Sequence, residues 1–151
     1  MRFIDLLNEL ASSIGIGSVA PDETGSVTLL FDNVYPVTFM PAEDGDAVFF
    51  QCEVGDASQL GSNGCRVLLE ASFSQTDGAA FAIQPTFQKV MIWKRFGEFS
   101  SLSEFEKAIN DFLGQVVTWK QCLASGDFHA KEADNPQPPY MTGITSNIIR
   151  V

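Results

Sequence analysis

Three short segments in which every second residue is apolar, joined by tight polar turns, constrain this chain more than anything else in it. Val27, Leu29 and Phe31 alternate with Ser26, Thr28 and Leu30. After Asp32-Asn33, Tyr35, Val37 and Phe39 alternate with Pro36, Thr38 and Met40. After Glu43-Asp44-Gly45-Asp46, Val48, Phe50, Cys52 and Val54 alternate with Phe49, Gln51 and Glu53. A period of two sorts the side chains onto the two faces of a strand, and links this short join antiparallel neighbours. The segments therefore predict an antiparallel meander with one apolar face.

Helices are needed to cover that face, and the sequence supplies them. Phe3, Leu6, Leu7, Leu10 and Ile14 recur at steps of three and four, with Asp5, Asn8, Glu9 and Ser12 on the other side. This predicts an amphipathic helix of about four turns, with Gly15 and Gly17 placed to end it. Leu102, Phe105, Ile109, Phe112, Val116, Trp119 and Leu123 predict a longer one. Ser101 with Glu104, or Ser103 with Glu106, fits a capping box at its start, and Gly126 is its stop. Gly55 to Gly64 reads as polar and irregular. Arg66 to Ser74 is short, and its Leu-Leu-Glu-Ala centre favours helix. Ala79–Gln84 and Phe87–Phe96 read as a hairpin. The unbroken apolar run Val90–Trp93 predicts a strand covered on both faces.

The fold class is therefore α+β, an antiparallel twisted sheet of about five strands with three helices in the order α-β-β-β-α-β-β-α. One domain spans residues 1–125. The remaining 126–151 read as a polar, Pro-rich tail that turns apolar again at Ile144, Ile148, Ile149 and Val151.

Nineteen acidic against nine basic residues give a formal charge of −10. Such a surface repels phosphate backbones and anionic headgroups, which argues against nucleic acid and membrane partners. No apolar run approaches the roughly 20 residues of a membrane span. Cys52, Cys65 and Cys122 are odd in number and widely spaced, and read as free thiols in a reducing cytosol. The one histidine, His129, sits in the polar tail with no positioned partner for base catalysis. Asp44-Gly45-Asp46 lacks the remaining ligands of a calcium loop. Gly15-Ile16-Gly17 lacks the third glycine and the helix of a dinucleotide site. No catalytic, metal or cofactor site emerges. Thirteen Phe are more than a minimal core needs, and the surplus points to an interface.

Leu6-Leu7-Asn8-Glu9-Leu10-Ala11-Ser12-Ser13-Ile14-Gly15 resembles the first helix of class I type III secretion chaperones, the CesT/Tir-chaperone family. Pro21 to Asp32 resembles that family's acidic turn and first strand, and Val34-Tyr35-Pro36-Val37 its second-strand opening. Leu68-Leu69-Glu70-Ala71-Ser72-Phe73 is similar to its short second helix, with Ser72 where Asn is typical. The helix from Leu102 to Leu123 is similar to its closing helix. The resemblance covers residues 1–125 and implies no catalysis and no cofactor. It implies a cytoplasmic homodimer joined through Val67, Leu68, Ala71, Phe73, Met91 and Trp93. It also implies a partner: the non-globular N-proximal segment of a secreted effector, kept soluble and export-competent, with contact to the secretion apparatus a further implication. The effector-binding residues are expected to be Phe3, Leu7, Leu29, Phe31, Phe39, Met40 and Phe49. Two other readings stand beside this one: a regulatory protein of the same fold that sequesters a transcriptional regulator, and an unrelated small enzyme or ligand-binding α+β domain.

Overall fold

A computed structural model describes residues 2–43, 45 and 47–126. The element order is α1 (Phe3–Ser13), β1 (Val27–Phe31), β2 (Tyr35–Pro41), β3 (Val48–Asp56), a 3-10 turn (Ala57–Gln59), α2 (Gly61–Ser74), β4 (Ala80–Gln84), β5 (Lys89–Phe96) and α3 (Leu102–Ser125). The five strands form one antiparallel sheet in the order β1-β2-β3-β5-β4. The expected class and order are borne out. The tail beyond Gly126, with His129, lies outside the described residues.

The meander forms because its turns suit it. Asp32 and Asn33 both take positive φ, 51° and 56°, and the Val34 N–H donates to the Phe31 carbonyl at 3.0 Å. Two successive left-handed residues inside the three-residue link Asp32–Val34 turn the chain tightly, and Asp and Asn tolerate that conformation. The turn before β1 is held by the Asp22 carboxylate, which accepts from the Thr24 hydroxyl at 2.6 Å and from the Thr24 and Ser26 N–H groups at 2.8 and 2.9 Å. Those bonds, the Thr24 hydroxyl first, lower the Asp22 pKa.

The alternation is the burial pattern. Val48, Phe50, Cys52 and Val54 on β3 are all buried, as are Val37 and Phe39 on β2 and Val90 and Ile92 on β5. Helix α3 lies over this face with Phe105, Ile109, Phe112, Val116 and Trp119. The Phe50 ring stands 5.8 Å from Phe105 and 5.7 Å from Phe112, both near perpendicular. Phe81 of β4 meets Trp119 edge-on at 4.8 Å. Cys52 is enclosed here, and desolvation pushes its thiol up to about 11. Cys52, Cys65 and Cys122 are not joined in disulfides.

Three local details differ from the sequence expectation. Helix α1 has three turns, because Gly15 (φ 76°) and Ile16 close a Schellman motif onto Ser12 and Ala11. That leaves Ile14 outside the core, 52% exposed. Helix α2 begins at Gly61, five residues early, because Leu60 is anchored in the core at 2% exposure. Tertiary burial overrides the weak propensity of Gly-Ser-Asn-Gly. At α3, Ser101 is the N-cap and accepts the Glu104 N–H at 3.3 Å. The Glu104 carboxylate reaches one residue further back, to the Ser100 N–H and hydroxyl at 2.9 and 2.8 Å.

Gly55 sets how closely α3 can approach. A Cβ built there would stand 2.9 Å from Leu123 Cδ1 and 3.2 Å from Leu123 Cβ. The β3–β5 register also shifts between Glu53 and Gly55. Gly55→Val is expected to lift the last turn of α3 from the sheet and destabilise the fold by about 1–3 kcal/mol. Urea denaturation measures this, and an unchanged midpoint would refute the close approach.

Candidate partner-binding surface

Because the helices lie on one side, strand residues of the other parity point away from the core. Across the sheet the pairing sets Met40 beside Phe49 and Arg95, Thr38 beside Gln51 and Trp93, and Glu53 beside Met91. Met40, Phe49, Met91 and Trp93 are half-buried. Phe49 and Trp93 are diagonal neighbours, with ring centroids 5.9 Å apart. The Val90–Trp93 run is therefore covered by this chain's helices on one face only. Its other half contributes Met91 and Trp93 to an aromatic and thioether patch between polar rows.

A second apolar strip lies on α2 and the end of the β4–β5 hairpin. Leu69 and Phe73, one turn apart, are 69% and 72% exposed. Ile83 and Phe87 at the hairpin end are also exposed. Helix α2 is turned this way because Gly64, Leu68 and Ala71 face inward, and because the Ser72 hydroxyl accepts the Phe81 N–H at 3.1 Å while donating to the Leu68 carbonyl at 2.9 Å. That bond covers part of the free edge of β4, a position whose N–H needs a partner. Beside it on the helix, Arg66 and Glu70 pair at 2.8 Å.

A third region surrounds the opposite edge. Phe3 of α1 and Leu29 and Phe31 of β1 are half-buried and pack on the core. Leu30 of β1 and Val34 of the β1–β2 turn are exposed, as are Ile14 and Ile16 after the end of α1.

Four expected partner residues belong elsewhere. Leu7 and Phe39 are at 0% exposure within the core. Leu7 sits on the inward stripe of α1, and Phe39 shares the covered parity of β2, with its ring 4.7 Å from Phe50. They have no surface to offer an effector. Leu68 and Ala71, at 5% and 1%, pack into the protomer's own core and have none to offer a second copy. Phe73, Val67, Met91, Trp93, Phe3, Leu29, Phe31, Met40 and Phe49 keep accessible surface. Leu69, Ile83 and Phe87 are exposed apolar residues outside the expected set. Helical spacing from Leu68 and Ala71 places Leu69 and Phe73 together on the opposite face, but only once α2 is known to be a helix.

Among the described residues no group of His, Cys, Asp and Glu could hold a metal ion, and no helix is long and apolar enough to cross a membrane. Extended apolar strips on a one-sided α+β sandwich define a protein-binding module, since grooves and sheet edges of this kind take extended segments and amphipathic helices.

The chain belongs to the Tir chaperone protein (CesT) family, whose model matches residues 5–120. No curated protein matches the sequence. The fold is shared with a chain of the ExsC–ExsE complex (24% identity, TM-score 0.71, covering 80% of this chain and 92% of that one). It is shared with a chain of the HopA1–SchA chaperone–effector complex (11%, TM-score 0.66, 80% and 94%). It is shared too with a chain from the Yersinia pestis type III secretion chaperone SycH in complex with a stable fragment of YscM2 (18%, TM-score 0.59, 76% and 97%). This is the type III secretion chaperone fold.

The corrected assignments separate core from surface. Phe39→Ala is expected to destabilise the protein by about 3–5 kcal/mol, through lost burial and the cavity left behind. Phe73→Ser at low protein concentration should change stability by no more than about 0.5 kcal/mol. Chemical denaturation of the two variants gives both values, and a reversed order would overturn the placement.

Proposed function

We propose that this chain is a cytosolic, homodimeric export chaperone of type III secretion. It holds the non-globular N-proximal segment of a secreted effector, keeping it soluble and ready for export. The observation that carries this is the set of large apolar side chains left open on a member of this family. Among the described residues eight lie between 45% and 72% exposure, on a chain of charge −10. A soluble protein shows such strips where another chain covers them. The charge opposes aggregation of the protein beyond the dimer. The activity is binding without catalysis: the family is a chaperone family, and holding an unfolded segment requires only edges and grooves.

The apolar regions divide between two partners. A second copy covers Leu69 and Phe73 of α2 with Val67, Met91 and Trp93, and Ile83 and Phe87 extend that strip. The effector segment covers Phe3, Leu29, Phe31, Met40 and Phe49, and with them Ile14, Ile16, Leu30 and Val34. The Phe49–Trp93 contact means that the effector path and the dimer seam meet on the open sheet face. A segment bound at Phe49 therefore touches the seam, and dimerisation completes its groove.

Co-expression with a secreted protein encoded nearby, followed by proteolytic trimming of the complex to the bound segment, tests the reading directly. A chain that stays monomeric at micromolar concentration and retains no secreted protein would end it. Phe73→Asp is expected to weaken the dimer more than about tenfold by placing an unpaired charge in the seam, as read by sedimentation equilibrium. Phe49→Glu is expected to lower effector affinity about tenfold or more while the fold persists. Calorimetric titration with the trimmed segment checks this, and unaltered affinity would remove Phe49 from the effector path.

A further inference from the structure

Helix α2 carries its outward side chains in an order that selects its partner. Cys65, Leu69 and Phe73 follow at four-residue steps and form one stripe. Leu69 and Phe73 are exposed, and Cys65 at the head of the stripe is half-buried. Arg66 and Glu70, joined at 2.8 Å, run along one flank of it. No other residue of α2 is charged, so the charges of this helix balance. Helix α1 carries Asp5 and Glu9 with no basic residue, and α3 carries Glu104, Glu106 and Asp111 against Lys107 and Lys120. Of the three helices, α2 is the one along which two chains of charge −10 meet without net repulsion.

A twofold axis joins the same patch on both copies, and a helix can meet itself about such an axis in parallel or antiparallel. In the antiparallel arrangement centred on Leu69, Leu69 meets the partner's Leu69 and Cys65 meets the partner's Phe73. Each end of the stripe then sets a small side chain against a large one, with sulfur beside an aromatic ring, a favourable contact. The charged residues of both copies fall on the same flank. At a rise of 1.5 Å per residue they come in the order Arg66, the partner's Glu70, Glu70, the partner's Arg66, at steps of about 3 Å. Each carboxylate thus lies between two guanidinium groups. The helix dipoles also oppose one another. In parallel, Phe73 would crowd the partner's Phe73, and the two charged pairs would lie on opposite flanks and never meet.

We propose that α2 pairs antiparallel with α2 of a second copy about an axis at Leu69, and that Arg66 and Glu70 are the residues that select a like chain. Charge complementarity names the occupant: this flank is complementary to itself, which a chance apolar partner would not match. The inference rests on the homodimer proposed above and adds its register, its direction and its specificity residues.

Thiol cross-linking of the full-length protein reads the register. Cys122→Ser serves as the background, and Cys52 is enclosed in the core. Diamide joins adjacent thiols as a disulfide and is itself reduced to the hydrazine. Leu69→Cys is expected to give a covalent dimer. Phe73→Cys should cross-link through the partner's Cys65 and lose the product when Cys65→Ser is added. Cys65 alone should give none, because the two copies stand about 12 Å apart along the pair, beyond the roughly 7 Å Cα reach of a disulfide. Arg66→Glu gathers four carboxylates on one flank and should weaken the dimer about tenfold at low salt. Mixing that variant with Glu70→Arg should restore affinity in the mixed dimer. All four substituted positions face outward or are half-buried, so the fold is retained. A covalent dimer through Cys65 alone, a Phe73→Cys product that survives Cys65→Ser, or an Arg66→Glu dimer of unchanged affinity would overturn the pairing. So would a dimer by sedimentation that Leu69→Cys fails to cross-link, which leaves the homodimer itself standing. A monomer by sedimentation at micromolar concentration would overturn the homodimer and the pairing together.

Discussion

Phe50 is the side chain around which the rest is arranged. It stands in the middle of β3, the central strand, on the covered face. Its ring lies 4.7 Å from Phe39, 4.4 Å from Phe96, 5.8 Å from Phe105 and 5.7 Å from Phe112. Two of these belong to neighbouring strands and two to α3, so one aromatic contact point joins three strands to the long helix. Three of the four, Phe39, Phe105 and Phe112, meet it edge-to-face, an arrangement attractive beyond burial. They also fix which parity of every strand is turned inward, because a slip of one residue would expose the whole set.

That choice produces the functional surface. Once Phe50 and its row face α3, the alternate row must face away, and on β2, β3 and β5 it carries Met40, Phe49, Met91 and Trp93. Helix α1 covers the same side as α3. Helix α2 stands beside β4, with Leu68 and Ala71 inward and Leu69 and Phe73 outward. A sheet packed on one side only, with a helix presenting a second apolar stripe, is an unfinished core. A second copy and an extended partner segment complete it on the reading proposed above. The acidic surface lets the unfinished state stay in solution.

Much of this was legible in advance, for a physical reason that can be named. Strand and helix periods are written into the order of residues, so Val48-Phe49-Phe50-Gln51-Cys52-Glu53-Val54 and the stripe from Leu102 to Leu123 could be read directly. Where periodicity was weak, the reading failed. Gly61-Ser62-Asn63-Gly64 has the composition of a loop and is helical because Leu60 is held in the core ahead of it. Ile14 continues the spacing of α1, yet lies outside the core because the Gly15 turn closes one residue sooner.

The harder errors concerned the site. An apolar residue reads the same whether it meets its own core or a partner, since its chemistry is identical in both places. Leu7, Phe39, Leu68 and Ala71 were expected at interfaces and are core. Leu69, Ile83 and Phe87 were passed over and are exposed. The sequence by itself determined the elements, their order, the inward parity of the meander, the family and the absence of a recognisable catalytic motif, all of which depend on local periodicity and residue type. Only the tertiary structure decided which apolar side chains remain open. Exposure depends on which elements pack over one another, and that is settled by contacts between residues far apart in the chain.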